Sequence, residues 1–191
     1  MRKEVIGLTV AVLAAGLLLI TPTIAQDKTE RYTGVLQIVG GTGGGSSVSL
    51  DIWINKYNTD AEIKAYADIL VEGGPDKLLR ALEKEDVGQI APTARTGLPL
   101  AIARKFANGD KTIIRVVTTR DPSFLELRYN GRSRDYPYTI LQMELDQSGK
   151  GIGSVIGAAK IRFDKKKNTY EIESYQHGTA NNRLVNVRRL D

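Results

Sequence analysis

Along residues 48–55 hydrophobic and polar positions alternate without a break, Val48, Leu50, Ile52 and Ile54 against Ser49, Asp51, Trp53 and Asn55. A two-residue period is that of a strand with one buried face. The segment "YTGVLQIV" (32–39) reads as the strand before it, with "QDKTER" (26–31) as a frayed lead-in. The run "GGTGGGSS" (40–47) then becomes a long hairpin loop between two antiparallel strands. The period changes at Thr59. Thr59 followed by Glu62 is a capping-box pattern, and Ile63, Tyr66, Ala67 and Leu70 fall on one helical face. Gly73-Gly74 ends that helix and Pro75-Asp76 opens a second, with Leu78, Leu79, Ala81 and Leu82 as its apolar stripe. These features predict a helical hairpin at about 59–85, folded back on itself.

Beyond Val87 the pattern is that of strands. Segments near "VGQIA", "LPLAIARKF", "KTIIRVVTT", "SFLELRY", "YTILQMELD", "GIGSVIGAAKIRF", "TYEIESYQ" and "RLVNVRRL" are separated by turn-forming groups such as Asn108-Gly109-Asp110 and Gln147-Ser148-Gly149. Closely spaced, half-buried strands predict a mainly β fold, an antiparallel barrel or sandwich with one inserted α-helical hairpin.

The N-terminus changes where this domain is expected to work. A cationic head, "MRK", precedes the apolar run Leu8–Ile20 and the small-residue exit "TPTIAQ". This is the pattern of a secretory signal peptide over residues 1–25, which leaves 26–191 as a single exported domain, periplasmic or extracellular. The apolar run is short of the about twenty residues a spanning helix needs, so no stable membrane span is expected after cleavage. The chain has no cysteine, which removes disulfides, thiol nucleophiles and thiolate metal sites. Its formal charge of +5 falls to +4 once Arg2, Lys3 and Glu4 are removed, and acidic residues concentrate between Thr59 and Asp86. The rest of the domain is therefore basic, the composition of a protein that meets anionic surfaces or one kept soluble by its charge.

Candidate chemistries are few. In "GGTGGGSS" Gly40 and Gly45 have Walker spacing, but Ser46 stands where the phosphate-binding lysine belongs and a strand follows where a helix is needed. His177 is the single histidine, so a Ser-His-acid triad would have to use it, and no G-x-S-x-G pattern marks a partner serine. One histidine without cysteine does not make a zinc site, and Lys150 and Gly157 spoil the calcium-loop resemblance that starts at Asp146. No cofactor and no metal are expected. Glu126, Glu144, Glu171 and Glu173 lie on strands and are the only basis for a carboxylate-dependent hydrolase. Trp53 is more distinctive: the only tryptophan sits on the polar side of the most regular strand, so a second layer or a ligand must cover it. Basic residues gather near turns and the C-terminal strand: Arg128, Arg132, Arg134, Lys165, Lys166, Lys167, Arg188 and Arg189. No stacking pattern of aromatics accompanies them, which argues against nucleic acid.

The segments "FLELR", "AAKIRFD" and "NNRLVNVRR", with the "TDAEIKAYADILVEGGPDKLLRALEK" helices, resemble a family of uncharacterised secreted bacterial proteins, a resemblance that implies export and brings no activity. In architecture the chain is also similar to lipocalin and fatty-acid-binding barrels, although two strands instead of one precede the helices. The expectation is a noncatalytic binding protein for a small apolar ligand or lipid, held near Trp53 and Tyr66. The alternative is an envelope interaction protein that binds an acidic partner or surface through basic turns, with Arg132 and Arg134 as its anion-binding residues; a hydrolase comes third.

Overall fold

The computed structural model describes residues 28–38, 46–119, 136–174 and 182–190. The expected signal segment, the glycine run from 40 to 45, and Glu126, Arg128, Arg132, Arg134 and His177 lie outside the described residues. In chain order β1 (Glu30–Ile38) and β2 (Ser46–Ile54) precede α1 (Asp60–Leu82), and eight strands follow: β3 (Gly88–Pro92), β4 (Leu98–Pro99), β5 (Ile102–Asn108), β6 (Lys111–Thr118), β7 (Tyr138–Leu145), β8 (Lys150–Asp164), β9 (Thr169–Ser174) and β10 (Asn182–Leu190).

The described strands form one antiparallel sheet in the order β4-β3-β2-β1-β10-β8-β7-β6-β5, with β9 paired to the far half of β8. It is a curled half-barrel, a single sheet bent on itself in place of the two facing sheets of a sandwich. The chain bridges the two ends of the order. Val87 N–H donates to Leu100 O and Leu100 N–H to Gly88 O, and then Ala101 N–H donates to Val117 O, so residues 98–108 leave the β3 edge and join the β6 edge.

Alternation decides what fills the curl. Tyr32, Leu36, Leu50, Ile52, Ile54, Ile114, Leu141, Met143, Leu184 and Val187 come from opposite sides of the sheet and form one buried cluster on its inner face. The outer face is covered at one side by α1. Leu70, Leu78 and Leu82 pack there with Val117, Tyr138 and Ala159. A bulge supplies part of this second layer: Ile140 pairs with Ile156 but Tyr138 with Ala159, so β8 gains a residue and turns Ala159 to the outer face.

The helix starts as its sequence predicts. Glu62 N–H donates to Thr59 Oγ1 and Thr59 N–H donates back to Glu62 Oε2, a complete capping box. Where the sequence predicts a hairpin of two helices, the structure shows one helical element broken at Gly74, whose φ of 77° and ψ of 179° precede Pro75. Proline has no N–H to continue the ladder, and glycine adopts the positive φ without a Cβ clash.

Core and surface positions should separate sharply in denaturation experiments. Leu141→Ala, at a fully buried inner-face site, is expected to lower unfolding stability by about 2–5 kcal/mol. Ile152→Ala, at a site 60% exposed, should change it by less than about 0.5 kcal/mol. Urea titrations of the two variants check the assignment of faces.

Candidate functional site at the polar mouth

At one rim of the curl the inner face changes from apolar to charged. Inward positions of β1 run from Ile38 through Leu36 and Tyr32 to Glu30, whose side chain is only 14% exposed. Tyr32 Oη donates to Glu30 Oε2 at 2.6 Å, and Tyr57 Oη donates to the same oxygen. Lys105 Nζ reaches Oε1 at 2.8 Å and Oε2 at 3.2 Å, while Arg189 Nη2 lies 2.9 Å from Oε1. Two phenols and two cations thus hold one carboxylate.

Each is delivered by a different local device. Lys105 lies two residues beyond inward Ala103 and opposite inward Ile114 in the β5–β6 register. Tyr57 belongs to the link from β2 to α1, which Asn58 ties to β5 as a strand would: Asn58 N–H donates to Ala103 O at 2.8 Å, and Ala103 N–H donates to Asn58 Oδ1 at 2.9 Å. Arg189 depends on a bulge. Leu184 and Val187 are both buried in the inner cluster though three residues apart, because the register with β8 slips between them and Asn186 takes a φ of 53°. Asparagine tolerates that left-handed region. Past the bulge the inward phase is reversed, which brings Arg189 opposite Tyr32.

The β7–β8 turn completes the rim. Asp146 Oδ1 accepts from Ser148 N–H and Lys150 N–H, Gly149 takes a φ of 75°, and Arg189 N–H donates to Gly149 O. A Cβ on Gly149 would come within 3.0 Å of the Arg189 Cβ. Between this turn and the cluster lies a cavity of about 250 Å³ lined by Tyr32, Lys105, Thr112, Leu145, Ser148 and Arg189, among others.

The electrostatics favour holding charge over moving protons. Burial alone would raise the Glu30 pKa, but hydrogen bonds from Lys105, Tyr32 and Tyr57 outweigh it and bring the carboxyl down to about 2. Burial and the hydrogen bond to Glu30 push both phenols above their ordinary range. Neither the Glu30 carboxyl nor either phenol exchanges a proton near neutrality. Lys105 and Arg189 against Glu30 leave one positive charge at the mouth, and the Asp146 carboxylate in the same lining balances it.

The residues singled out in the sequence are dispersed. Trp53 lies on the outer face between its register neighbours Arg31 and Gln89, and what lies over its ring is the Arg31 guanidinium, 5.3 Å from the centroid. Tyr66 instead packs at the edge of the cluster under α1, where burial and a hydrogen bond to Glu85 push its hydroxyl up to about 12. Lys167 is engaged at the β8–β9 turn with Asp164 and Glu171. Glu144, Glu171 and Glu173 each pair with a base, at Lys111, Lys167 and Arg162. Among the described residues no group of three or more His, Cys, Asp or Glu is placed to hold a metal ion, and no helix is long and apolar enough to cross a membrane. Glu30, Tyr57 and Lys105 are the site residues that the sequence reading passed over. Inward alternation of β1, continued two residues back into the supposed lead-in, is the signal that would have found Glu30.

Because the folded pKa of Glu30 lies below the ordinary value of 4.5, its contribution to stability is complete above pH 4.5 and is lost as the pH falls towards 2. Glu30→Gln should be less stable than the parent at pH 7, and the difference should shrink across that acid window. Urea midpoints of the two proteins measured from pH 7 to 2 check this; parallel curves would remove the carboxylate from this role.

Compared with known proteins, the chain matches no family model, no curated protein and no solved structure.

Proposed function

We propose that this chain is an exported, noncatalytic binding protein whose polar mouth holds a small oxyanion, either free or as the acidic group of an envelope component. The observation that carries the reading is the convergence of Lys105 and Arg189, from strands distant in sequence, on one cavity, with Glu30 between them and the other carboxylate of the lining, Asp146, already accepting from Ser148 and Lys150 N–H. Lys105 is fastened by both Glu30 oxygens, whereas Arg189 contacts Glu30 through one nitrogen. A guanidinium has five donors in a planar fork, so the remaining N–H groups of Arg189 suit a carboxylate or phosphate. Thr112 adds a hydroxyl to the lining, while that of Ser148 donates to Asp146 Oδ1 at 2.7 Å.

This keeps the binding class expected from the sequence and favours the anionic alternative over the apolar ligand. The inner face of the curl is filled by the protein's own side chains, Leu36, Leu50, Ile52, Leu141 and Met143 among them. The anionic reading also moves from Arg132 and Arg134 to Arg189 and Lys105, and export rests on the N-terminal pattern.

Calorimetric titration with inorganic phosphate and with citrate should show binding that weakens as sodium chloride rises. Arg189→Gln should weaken it by about tenfold or more, the loss of one charge-assisted hydrogen bond. Affinity indifferent to both salt and Arg189→Gln overturns the assignment, and a hydrophobe extracted in stoichiometric amount from the purified protein would restore the apolar reading.

A further inference from the structure

A second constellation lies on the outer face, away from the mouth. Trp53 and Asp51, two residues apart on β2, share that face with Arg31 of β1, and the turn from Thr93 to Thr96 rises beside them to form an open groove. The turn is held in place because Thr93 N–H donates to Ser49 O and Arg95 N–H to Pro92 O, with Ala94 at a φ of 62°. Arg95 stands exposed on it.

Asp51 is the unusual member. Its side chain is only 8% exposed, yet its sole hydrogen bond among the described residues is a 3.5 Å contact with Arg31 Nη2. Removing a carboxylate from water is costly unless other donors replace the lost hydration. Glu30, similarly buried, has four donor side chains; Asp51 has one long one. No Asp51 oxygen is sealed from solvent without a partner, so its remaining acceptor sites open to the groove, where water or a ligand can supply donors.

We infer that the groove formed by Trp53, Asp51, Arg31 and Arg95 binds a saccharide that carries a carboxylate. Three features select this class together. A carboxylate with unused acceptor sites takes two neighbouring hydroxyl donors, as a pyranose diol offers them. The half-buried indole offers the face opposite the Arg31 guanidinium to the C–H face of a sugar ring. Two guanidiniums against one carboxylate leave a positive charge, and Arg95, exposed and without an ion pair among the described residues, can form a bidentate pair with a uronate carboxylate. An acidic peptide would use the arginines, but its backbone offers Asp51 single N–H donors in place of the adjacent pair that a diol presents. The open groove also suits a chain of sugar units better than an enclosed small molecule.

Trp53 is the only tryptophan, so intrinsic fluorescence reports this groove alone. Titration of the full chain with tetragalacturonate should give a saturable change in emission, with maltotetraose binding about tenfold more weakly for lack of the charged pair. Asp51→Asn should weaken both sugars by about tenfold, whereas Arg95→Ala, at an exposed position that the fold does not need, should weaken only tetragalacturonate. Arg189→Gln should leave all of these curves unchanged, which separates this site from the mouth. Melting temperatures of the variants confirm that each is folded. The absence of a saturable change with either sugar would overturn the inference. So would poly-glutamate giving the same curve as tetragalacturonate while Asp51→Asn has no effect.

Discussion

A carboxylate placed at the rim of an apolar interior is stable only if the fold supplies its donors, and Glu30 draws them from across the chain. Tyr32 comes from its own strand, Tyr57 from the link to the helix, Lys105 from β5 and Arg189 from the last strand. The cluster therefore fastens one end of the curl, where first and last strands meet, to the segment that bridges its two edges. A buried charge that loses a partner is strongly destabilising, although the intact cluster need not exceed an apolar substitute in stability. What it confers is specificity of position: a charged rim that cannot slide past its neighbours.

The rest of the architecture follows from a single sheet having two faces to deal with. Its inner face is closed by curvature, which lets side chains from opposite strands meet, and one side of its outer face is closed by α1. Alternation sends successive side chains of a strand to opposite faces, so β6 and β7 contribute to both clusters. A bulge changes the phase: Val155 lies in the inner core and Ile156 outside, and beyond the bulge Ala159, Ile161 and Phe163 take the outer side. The bulge thus sets which residues in the far half of β8 meet the helix.

Local features were readable in the sequence because local chemistry produces them. The alternation of Val48 to Ile54, the Thr59–Glu62 box and the break before Pro75 all appear where their residues place them. Trp53 was correctly marked as anomalous on a polar face, but a guanidinium from β1, twenty-two positions earlier, lies over it instead of a helix. Long-range partners of this kind leave no trace in spacing. Glu30 and Arg31 were hidden for another reason: polar residues at a strand's start look like a frayed lead-in until their inward and outward phases are continued from the apolar part. The closing of the sheet through residues 98–108 was equally illegible, since "LPLAIARKF" reads as one strand whether it serves one neighbour or two.

The bulge at Asn186 has a consequence for how such a mouth can change over time. Arg188 and Arg189 are chemically identical, and which one faces the cavity depends only on the number of residues between Leu184 and the rim. The charge of the opening is therefore written in chain length as much as in residue type. A one-residue insertion or deletion near Asn186 would exchange the inward and outward sets beyond it without altering a side chain. Substitution adjusts such a site in small steps, whereas a change of phase would replace its chemistry at once while leaving the strand order in place.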